Sequence, residues 1–281
     1  SNKVCIESGQ SAKLFNAKIG QSTLLMKIDN YAGSSWSASQ SIEFDAKTPD
    51  INKKKLNNLT SQIMNIIEFR SEKMKIVSLG YNSTMENNCM IFTLYAPYWI
   101  LNQTTLNLEY KIKGHDDEIN ELDNFQTDSP LFLKINSKTF ANQNKEMSIR
   151  VKQTQSSSSE WSQNFIIDAV GNTGTIVSKS KQNEKCYEIG VEIQLSASGL
   201  TKIIKLSPYY LLVNSTNYFL NLRELNQNNE LSINEINIEP NSIIPFWPTN
   251  YSNKHNNCFK MIPLSNKLDL ATNKNYSSSF W

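Results

Sequence analysis

The chain has 281 residues, 39% of them hydrophobic, and a formal net charge of +2 from 28 basic and 26 acidic side chains. That length suits about two ordinary domains with cores of their own. The near balance of charge excludes strong attraction to DNA or an anionic membrane through net charge, and the scarcity of glycine, 9 in all, excludes collagen-like and flexible-linker classes.

In chain order the apolar runs are short, rich in Ile, Val, Tyr, Phe and Leu, and bounded by Ser, Asn, Asp, Pro or Gly. This pattern predicts strands. The first are Leu24–Ile28 and Ile42–Phe44. Lys53-Lys-Lys55 is a basic run that reads as a solvated loop. Lys55–Phe69 dissents, because Leu56, Leu59, Ile63 and Ile66/Ile67 fall at helical spacing, so an amphipathic helix is expected there. Residues 47–62 read as a loop insertion carrying one or two helical turns. Met90–Leu101 is the longest apolar stretch, but it contains a Pro, a Thr and two Tyr and is too short to span a bilayer. Lys113–Pro130 lacks apolar periodicity of either kind, and its acidic, polar start, 114–124, reads as a solvated, mobile loop. Further strands are predicted at Leu131–Ile135, Met147–Val151, Phe165–Ile167, Ile189–Leu195, Lys202–Leu206 and Tyr209–Val213. Within Ile189–Leu195, alternation puts Ile189, Val191, Ile193 and Leu195 on one face.

Two segments say nearly the same thing. Thr93-Leu-Tyr-Ala-Pro-Tyr-Trp-Ile-Leu-Asn-Gln-Thr104 and Lys205-Leu-Ser-Pro-Tyr-Tyr-Leu-Leu-Val-Asn-Ser-Thr216 each run from a proline through large apolar residues to an asparagine, with a threonine two places on. Asn102 and Asn214 hold the same place in the two copies, a domain's length apart. The likeness extends upstream, where Trp36 and Trp161 each follow a serine run, and Ser277-Ser-Ser-Phe-Trp281 resembles the start of another copy. A repeat of this length is a module. The expected fold is all-β, with tandem β-sandwich modules arranged as a curved rod: 1–90 an N-terminally incomplete first repeat, 91–204 a second, and 205–281 a C-terminally incomplete third. Pro97 precedes its asparagine by five residues and Pro208 by six, so a bulge is expected to absorb the extra residue.

Asparagine is poor strand material, and its recurrence at the end of an apolar strand requires a reason. An inward-turned amide offers two donors and an acceptor and ties adjoining loops together. Asn102 and Asn214 are therefore read as structural. Both also fit the N-glycosylation pattern, as do Asn58, Asn82, Asn250 and Asn275. Cys5, Cys89, Cys186 and Cys258 lack metal-knuckle or redox spacing and read as free thiols in a reducing compartment. His115 and His255 lie in polar sequence and read as surface. Asp116-Asp117-Glu118 lacks the spacing of a Ca²⁺ loop. Asp45 and Asp168, each following a strand, read as turn formers. Trp36 and Trp161 read as packing residues. Phe246 and Trp247, in Pro245-Phe-Trp-Pro248, form a candidate partner-binding platform, the alternative being a strand end with one ring in the core. No set of nucleophile and base accompanies any of these residues, and neither a cofactor nor a metal is expected.

Tyr95 to Thr104 resembles the repeats of the adaptor-binding region of the vacuolar protein sorting-associated protein 13 family. Phe165-Ile-Ile-Asp-Ala-Val-Gly171, Tyr187-Glu-Ile-Gly-Val191, Ser207 to Asn214 and Ile244-Pro-Phe-Trp-Pro248 carry the same resemblance. That family consists of rod-shaped, bridge-like lipid transfer proteins. The resemblance implies a β-sandwich in each repeat, with a characteristic asparagine at the positions of Asn102 and Asn214. It implies a non-catalytic scaffold, cytoplasmic and peripheral at organelle membranes and contact sites. Its partners would be membrane-anchored, organelle-specific adaptors, and lipid would be carried by other parts of the parent. The family's best-known adaptor groove lies in the last repeats, whereas this chain resembles earlier ones. From the sequons and surface-type β modules alone, an extracellular adhesin or carbohydrate-binding array is the alternative.

Overall fold

The computed structural model describes residues 4–7, 9–13, 23–31, 34–38, 41–43, 65–72, 76–87, 89–115, 118–122, 131–135, 145–180, 185–225, 231–249 and 259–264. Every regular element among them is a strand, and no helix is long and apolar enough to cross a membrane. The chain divides into two compact units, Ser1–Pro97 with Lys134–Ala141, and Tyr98–Leu133 with Asn142–Trp281.

The first unit holds β1 (Thr23–Leu24), β2 (Lys27–Tyr31), β3 (Ser34–Ala38), β4 (Ile42–Glu43), β5 (Asn65–Ser71), β6 (Ile76–Glu86) and β7 (Cys89–Tyr95). β1 pairs with β4, and the other five form an antiparallel sheet in the order β2-β3-β5-β6-β7. Trp36, Ile67, Phe69 and Val77 are buried in it. The helix expected over Lys55–Phe69 is not what Asn65–Phe69 forms: those residues are the start of β5. Ile67 and Phe69 are buried and alternate with Glu68 and Arg70, so the period of two wins over the helical spacing. The rest of that segment, the 47–62 insertion, Lys53–Lys55 and Asp45 lie outside the described residues.

The second unit begins with a two-sheet sandwich. Its strands are β8 (Tyr98–Asn102), β9 (Leu108–Ile112), β10 (Asn120–Leu122), β11 (Leu131–Phe132), β12 (Glu146–Thr154), β13 (Ser157–Ser158), β14 (Phe165–Ile166), β15 (Thr173–Lys179), β16 (Cys186–Leu195) and β17 (Lys202–Pro208). One sheet runs β11-β8-β17-β16-β15; the other runs β10-β9-β12-β13, with β14 also on β12. The pairing of β17 with β8 is parallel, Lys202 opposite Tyr98 and Leu206 opposite Asn102. It brings together strands with eight others between them in the chain. Ile100, Ile189, Ile193, Ile204 and Leu206 from the first sheet and Leu108, Tyr110, Met147 and Ile149 from the second make the core. Ser159–Ser178 and Gln153–Ser180 hydrogen bonds, 2.5 and 2.7 Å, join the sheets along one side.

Two expectations fail locally. Within 114–124, expected to be a mobile loop, Asn120–Leu122 is β10, and Leu122 is buried opposite Leu108. One leucine is enough there because β9 supplies the rest of the apolar face. Leu195 is 47% exposed, unlike Ile189, Val191 and Ile193, because it stands at the hairpin end opposite Lys202.

The chain continues into β18 (Tyr210–Asn214), β19 (Phe219–Leu225), β20 (Leu231–Ile238), β21 (Ser242–Phe246) and β22 (Phe259–Leu264), paired as β18-β21 and β20-β19-β22. The meander β5-β6-β7 recurs as β15-β16-β17, and β8 recurs as β18, each pair aligned by setting Asn102 on Asn214. Both β8 and β18 are five residues long and end on their asparagine. The extra residue after Pro208 therefore needs no bulge. Pro208 ends β17 and Tyr209 lies in the connection, so the proline has moved while the strand has not.

Candidate functional site

Asn102 and Asn214 terminate their strands in the same hydrogen-bonded knot. The Asn102 amide Nδ2 donates to Leu106 O at 2.8 Å, and Asn214 Nδ2 to Tyr218 O at 2.8 Å. Each Oδ1 accepts twice from the threonine two residues on: from Thr104 N and Oγ1 at 3.1 and 2.6 Å, and from Thr216 N and Oγ1 at 3.0 and 2.7 Å. The threonine hydroxyls accept in turn from Leu106 N and Tyr218 N, both at 3.2 Å. Asn214 Nδ2 also reaches Glu239 O at 2.8 Å and Ile238 O at 3.2 Å, tying the β20–β21 turn to the end of β18. Both asparagines are buried, Asn214 at 1% exposure. An Asn-x-Thr sequence is thus used here for backbone capping. The amide nitrogens that a glycan would need are turned inward onto carbonyls. The first knot also encloses Thr105, a β-branched residue held at φ +63°, a conformation that costs on the order of 1–2 kcal/mol.

A second polar centre lies at one end of the sandwich. Asp168, just past β14, accepts from the Tyr98 hydroxyl, from Lys202 Nζ at 2.6 Å, from Lys145 N at 3.0 Å and from Lys145 Nζ at 3.4 Å. Tyr98 and Lys202 open β8 and β17 in one sheet, while Lys145 and Asp168 flank β12 and β14 in the other. Burial alone would raise the Asp168 carboxyl. The hydrogen bonds from Lys202, Tyr98 and the Lys145 N–H, together with the Lys145 charge, outweigh it and lower the pKa from 3.8 to about 2. Tyr98 is pushed far above the ordinary 10.0, chiefly by burial and further by its bond to the aspartate and that charge. The two ammonium groups also lie over the Tyr98 ring, 5.8 and 5.4 Å from its centroid. An acid held ionised and a phenol held protonated are each locked in one form, so neither is poised to exchange a proton near neutrality. The cluster is an inter-sheet clamp. Sequence reasoning assigned Asp168 only a turn; the signal it lacked is the convergence of four distant segments.

Phe246 is buried, its ring 6.5 Å from that of Tyr210, at the end of β21. Trp247 is half-buried and packs on Tyr187 of β16 at 5.7 Å. Trp36 is buried and donates from Nε1 to Tyr31 O at 2.9 Å. Trp161 is only half-buried, and Arg150 and Lys111 lie over its ring at 4.4 and 5.1 Å. Trp161 thus packs under cations from β9 and β12, a packing residue at the sheet face and not in the core. Cys5, Cys89 and Cys186 are free thiols. Cys258, His255, Asp116 and Asp117 lie outside the described residues, as do Asn58, Asn250, Asn275 and Ser277–Trp281.

A family model described as vacuolar-sorting associated protein 13, adaptor binding domain, matches residues 1–280. Mouse intermembrane lipid transfer protein VPS13A is 28% identical over 254 residues, covering 89% of this chain and 7% of that protein. Human VPS13C is 27% identical over 185 residues, 66% of this chain and 5% of that protein. Mouse VPS13C is 23% identical over 250 residues, 89% of this chain and 6% of that protein. The chain spans less than a tenth of the length of these relatives. With the family model running from residue 1 to 280 of an all-β chain, the protein belongs to the VPS13 adaptor binding domain family.

Proposed function

We propose that this chain is a non-catalytic interaction scaffold, part of the region that targets a bridge-like lipid transfer protein to organelle membranes and contact sites. In this reading it comprises three serial repeats, 1–90, 91–204 and 205–281, and docks the cytosolic segments of membrane-anchored adaptors. Lipid is handled by other parts of the parent. The observation that carries the reading is the family match over residues 1–280. The polar centres support it: the knots and the clamp are spent on holding strands, which suits a scaffold. Of the two candidate aromatics, Trp247 is only half-buried and is the contact residue we put forward. Phe246, buried on Tyr210, shapes the strand end behind it.

The test is recruitment of the parent protein with and without residues 1–281. Deletion is expected to abolish its accumulation at an adaptor-bearing organelle, and the purified chain is expected to bind that adaptor's cytosolic segment saturably. Unchanged recruitment of the deleted parent to every organelle would refute the reading.

A further inference from the structure

We propose that the strand returning from each asparagine knot is a clasp on the repeat before it, with Ile135 and Trp247 as the pins, so that residues of one sequence repeat complete the fold of the preceding one. The two returns are equivalent. With Asn102 set on Asn214, the pairings of Ile100 with Leu131 and of Leu212 with Ile244 lay Leu131–Ile135 on Ile244–Pro248. The same alignment carries Tyr95 to Ser207, and their partners Gly80 and Gly190 then lay β6 on β16.

Each return meets the middle strand of the meander before it. Ser78 Oγ on β6 donates to Ile135 O at 2.8 Å. Cys186 N on β16 donates to Pro248 O at 2.9 Å, and Trp247 lies against Tyr187 of the same strand, ring centroids 5.7 Å apart. The first return is marked a second way: Lys134–Ala141 belongs to the first compact unit, although the chain on either side of it belongs to the second.

The meanders supply the reason. β6 starts at Ile76, but its register with β7 starts at Gly80; β16 starts at Cys186, but its register with β17 starts at Ile189. β7 and β17 have by then left for β8 and β18, so each middle strand overhangs its neighbour. An overhang left to water would expose apolar surface and unpaired backbone groups. Val77–Leu79 and Cys186–Glu188 are nevertheless buried, and so are Leu133, Ile135 and Phe246 on the returns. Tyr209 N on Glu188 O and Cys186 N on Pro248 O satisfy the backbone of the second overhang. Sequence repeat and folding unit are therefore out of phase: Trp247, in 205–281, packs on a strand in 91–204. An adaptor segment seated on Trp247 would bear on β16; that consequence rests on the adaptor reading, whereas the clasp and its test do not.

Hydrogen exchange on the full chain tests this with Trp247→Ala, Trp247→Phe and Ile135→Ala, circular dichroism checking that each folds and Ile135→Val standing in should the alanine unfold the chain. Trp247→Ala is expected to lower protection at the β15 and β16 amides roughly tenfold, and at β18 and β21, where the Asn214 knot stays whole, by less than about threefold. Trp247→Phe keeps a ring on Tyr187 and is expected to restore most of the loss. Ile135→Ala is expected to lower protection at β5 and β6 roughly tenfold or more, and at β8 and β11 by less than about threefold. A Trp247→Ala loss at β18 and β21 as large as that at β15 and β16, no loss at β15 and β16, a phenylalanine variant no better than alanine, or an Ile135 loss centred on β8 and β11 would each overturn the proposal.

Discussion

Replacing Asn214 by alanine removes one side chain whose two N–H groups reach three carbonyls, those of Tyr218, Ile238 and Glu239, one N–H being shared, and whose oxygen accepts twice from Thr216. At about 1 kcal/mol net for each unshared bond and less for the shared contact, the total would be ~4–5 kcal/mol. Two corrections reduce it. The Thr216 hydroxyl has a second acceptor in Tyr218 O at 3.3 Å, and water reaches the partly exposed partners once the amide is gone. A loss of about 3–4 kcal/mol is expected for the structure around β18 and β21. A chain with two compact units need not unfold in one step, so a single global unfolding energy is the wrong readout. Hydrogen exchange at the β18–β21 amides reports the local value, and the expected fall in protection is roughly two to three orders of magnitude, a decade for each ~1.4 kcal/mol. Asn214→Asp is the sharper variant. It keeps the acceptor for Thr216 but replaces the donor with a carboxylate oxygen facing three carbonyl oxygens, so it should be worse than alanine. Protection in the alanine variant within tenfold of wild type, or an aspartate variant better protected than alanine, would refute the assignment of the amide as the pin of this repeat.

Asp168 titrates at about 2 when folded, below its ordinary 3.8, so its contribution is fully present above pH 4 and is lost as the pH falls toward 2. After allowance for solvent near the carboxylate, the local stability gap between wild type and Asp168→Asn should narrow by about 1–2 kcal/mol between pH 5 and pH 2 in hydrogen exchange at the β8, β12 and β17 amides, and a constant gap would count against the clamp. Gly80 has room for no side chain, since a Cβ there would lie 2.6 Å from the Tyr95 ring, whereas at Gly190, which faces Ser207 as Gly80 faces Tyr95, the nearest atom is Ser207 Oγ at 3.0 Å. Gly80→Ala should therefore destabilise the first unit by about 1–3 kcal/mol, and adding Tyr95→Ser should recover most of it; a double variant no better than the single would exclude the clash as the cause. In stopped-flow measurements Asn102→Ala should slow refolding more than it speeds unfolding, because its bonds stay within Asn102–Leu106 and form before β17 arrives. Movement of the unfolding arm alone would contradict that order.

The strands were legible in the sequence because their apolar runs are short, β-branched and punctuated. Asn102 and Asn214 were legible because a polar residue stood twice where an apolar strand should have ended, and both amides are buried in the structure. Asn65–Phe69 was misread because Ile63, Ile66 and Ile67 satisfy a helical spacing by accident, while the alternation of Ile67 and Phe69 with Glu68 and Arg70 is what the sheet uses. β10 escaped notice because its only apolar residue, Leu122, borrows its pattern from Leu108. The Asp168 cluster was invisible for a deeper reason. Tyr98, Lys145, Asp168 and Lys202 lie far apart in the chain, and no local pattern encodes their meeting. Trp161 shows the same limit, since nothing near it in sequence announces that Arg150 and Lys111 will cover its ring.

The knots and the parallel pairing solve one problem together. β8 must wait for β17, which comes after eight intervening strands, and closing so long a loop is slow and entropically costly. Until then β8 would be an apolar strand with a free exit. The Asn102 knot closes within Leu106 and fixes that exit from local sequence alone, including the strained backbone of Thr105. Once β17 pairs, Gln103 N donates to Leu206 O at 2.8 Å, so the long-range strand locks onto the residue next to the knot. The local device therefore sets the end point at which the distant strand must register. Asn214 prepares the end of β18 in the same way, with the turn at Ile238 and Glu239 added to its bonds.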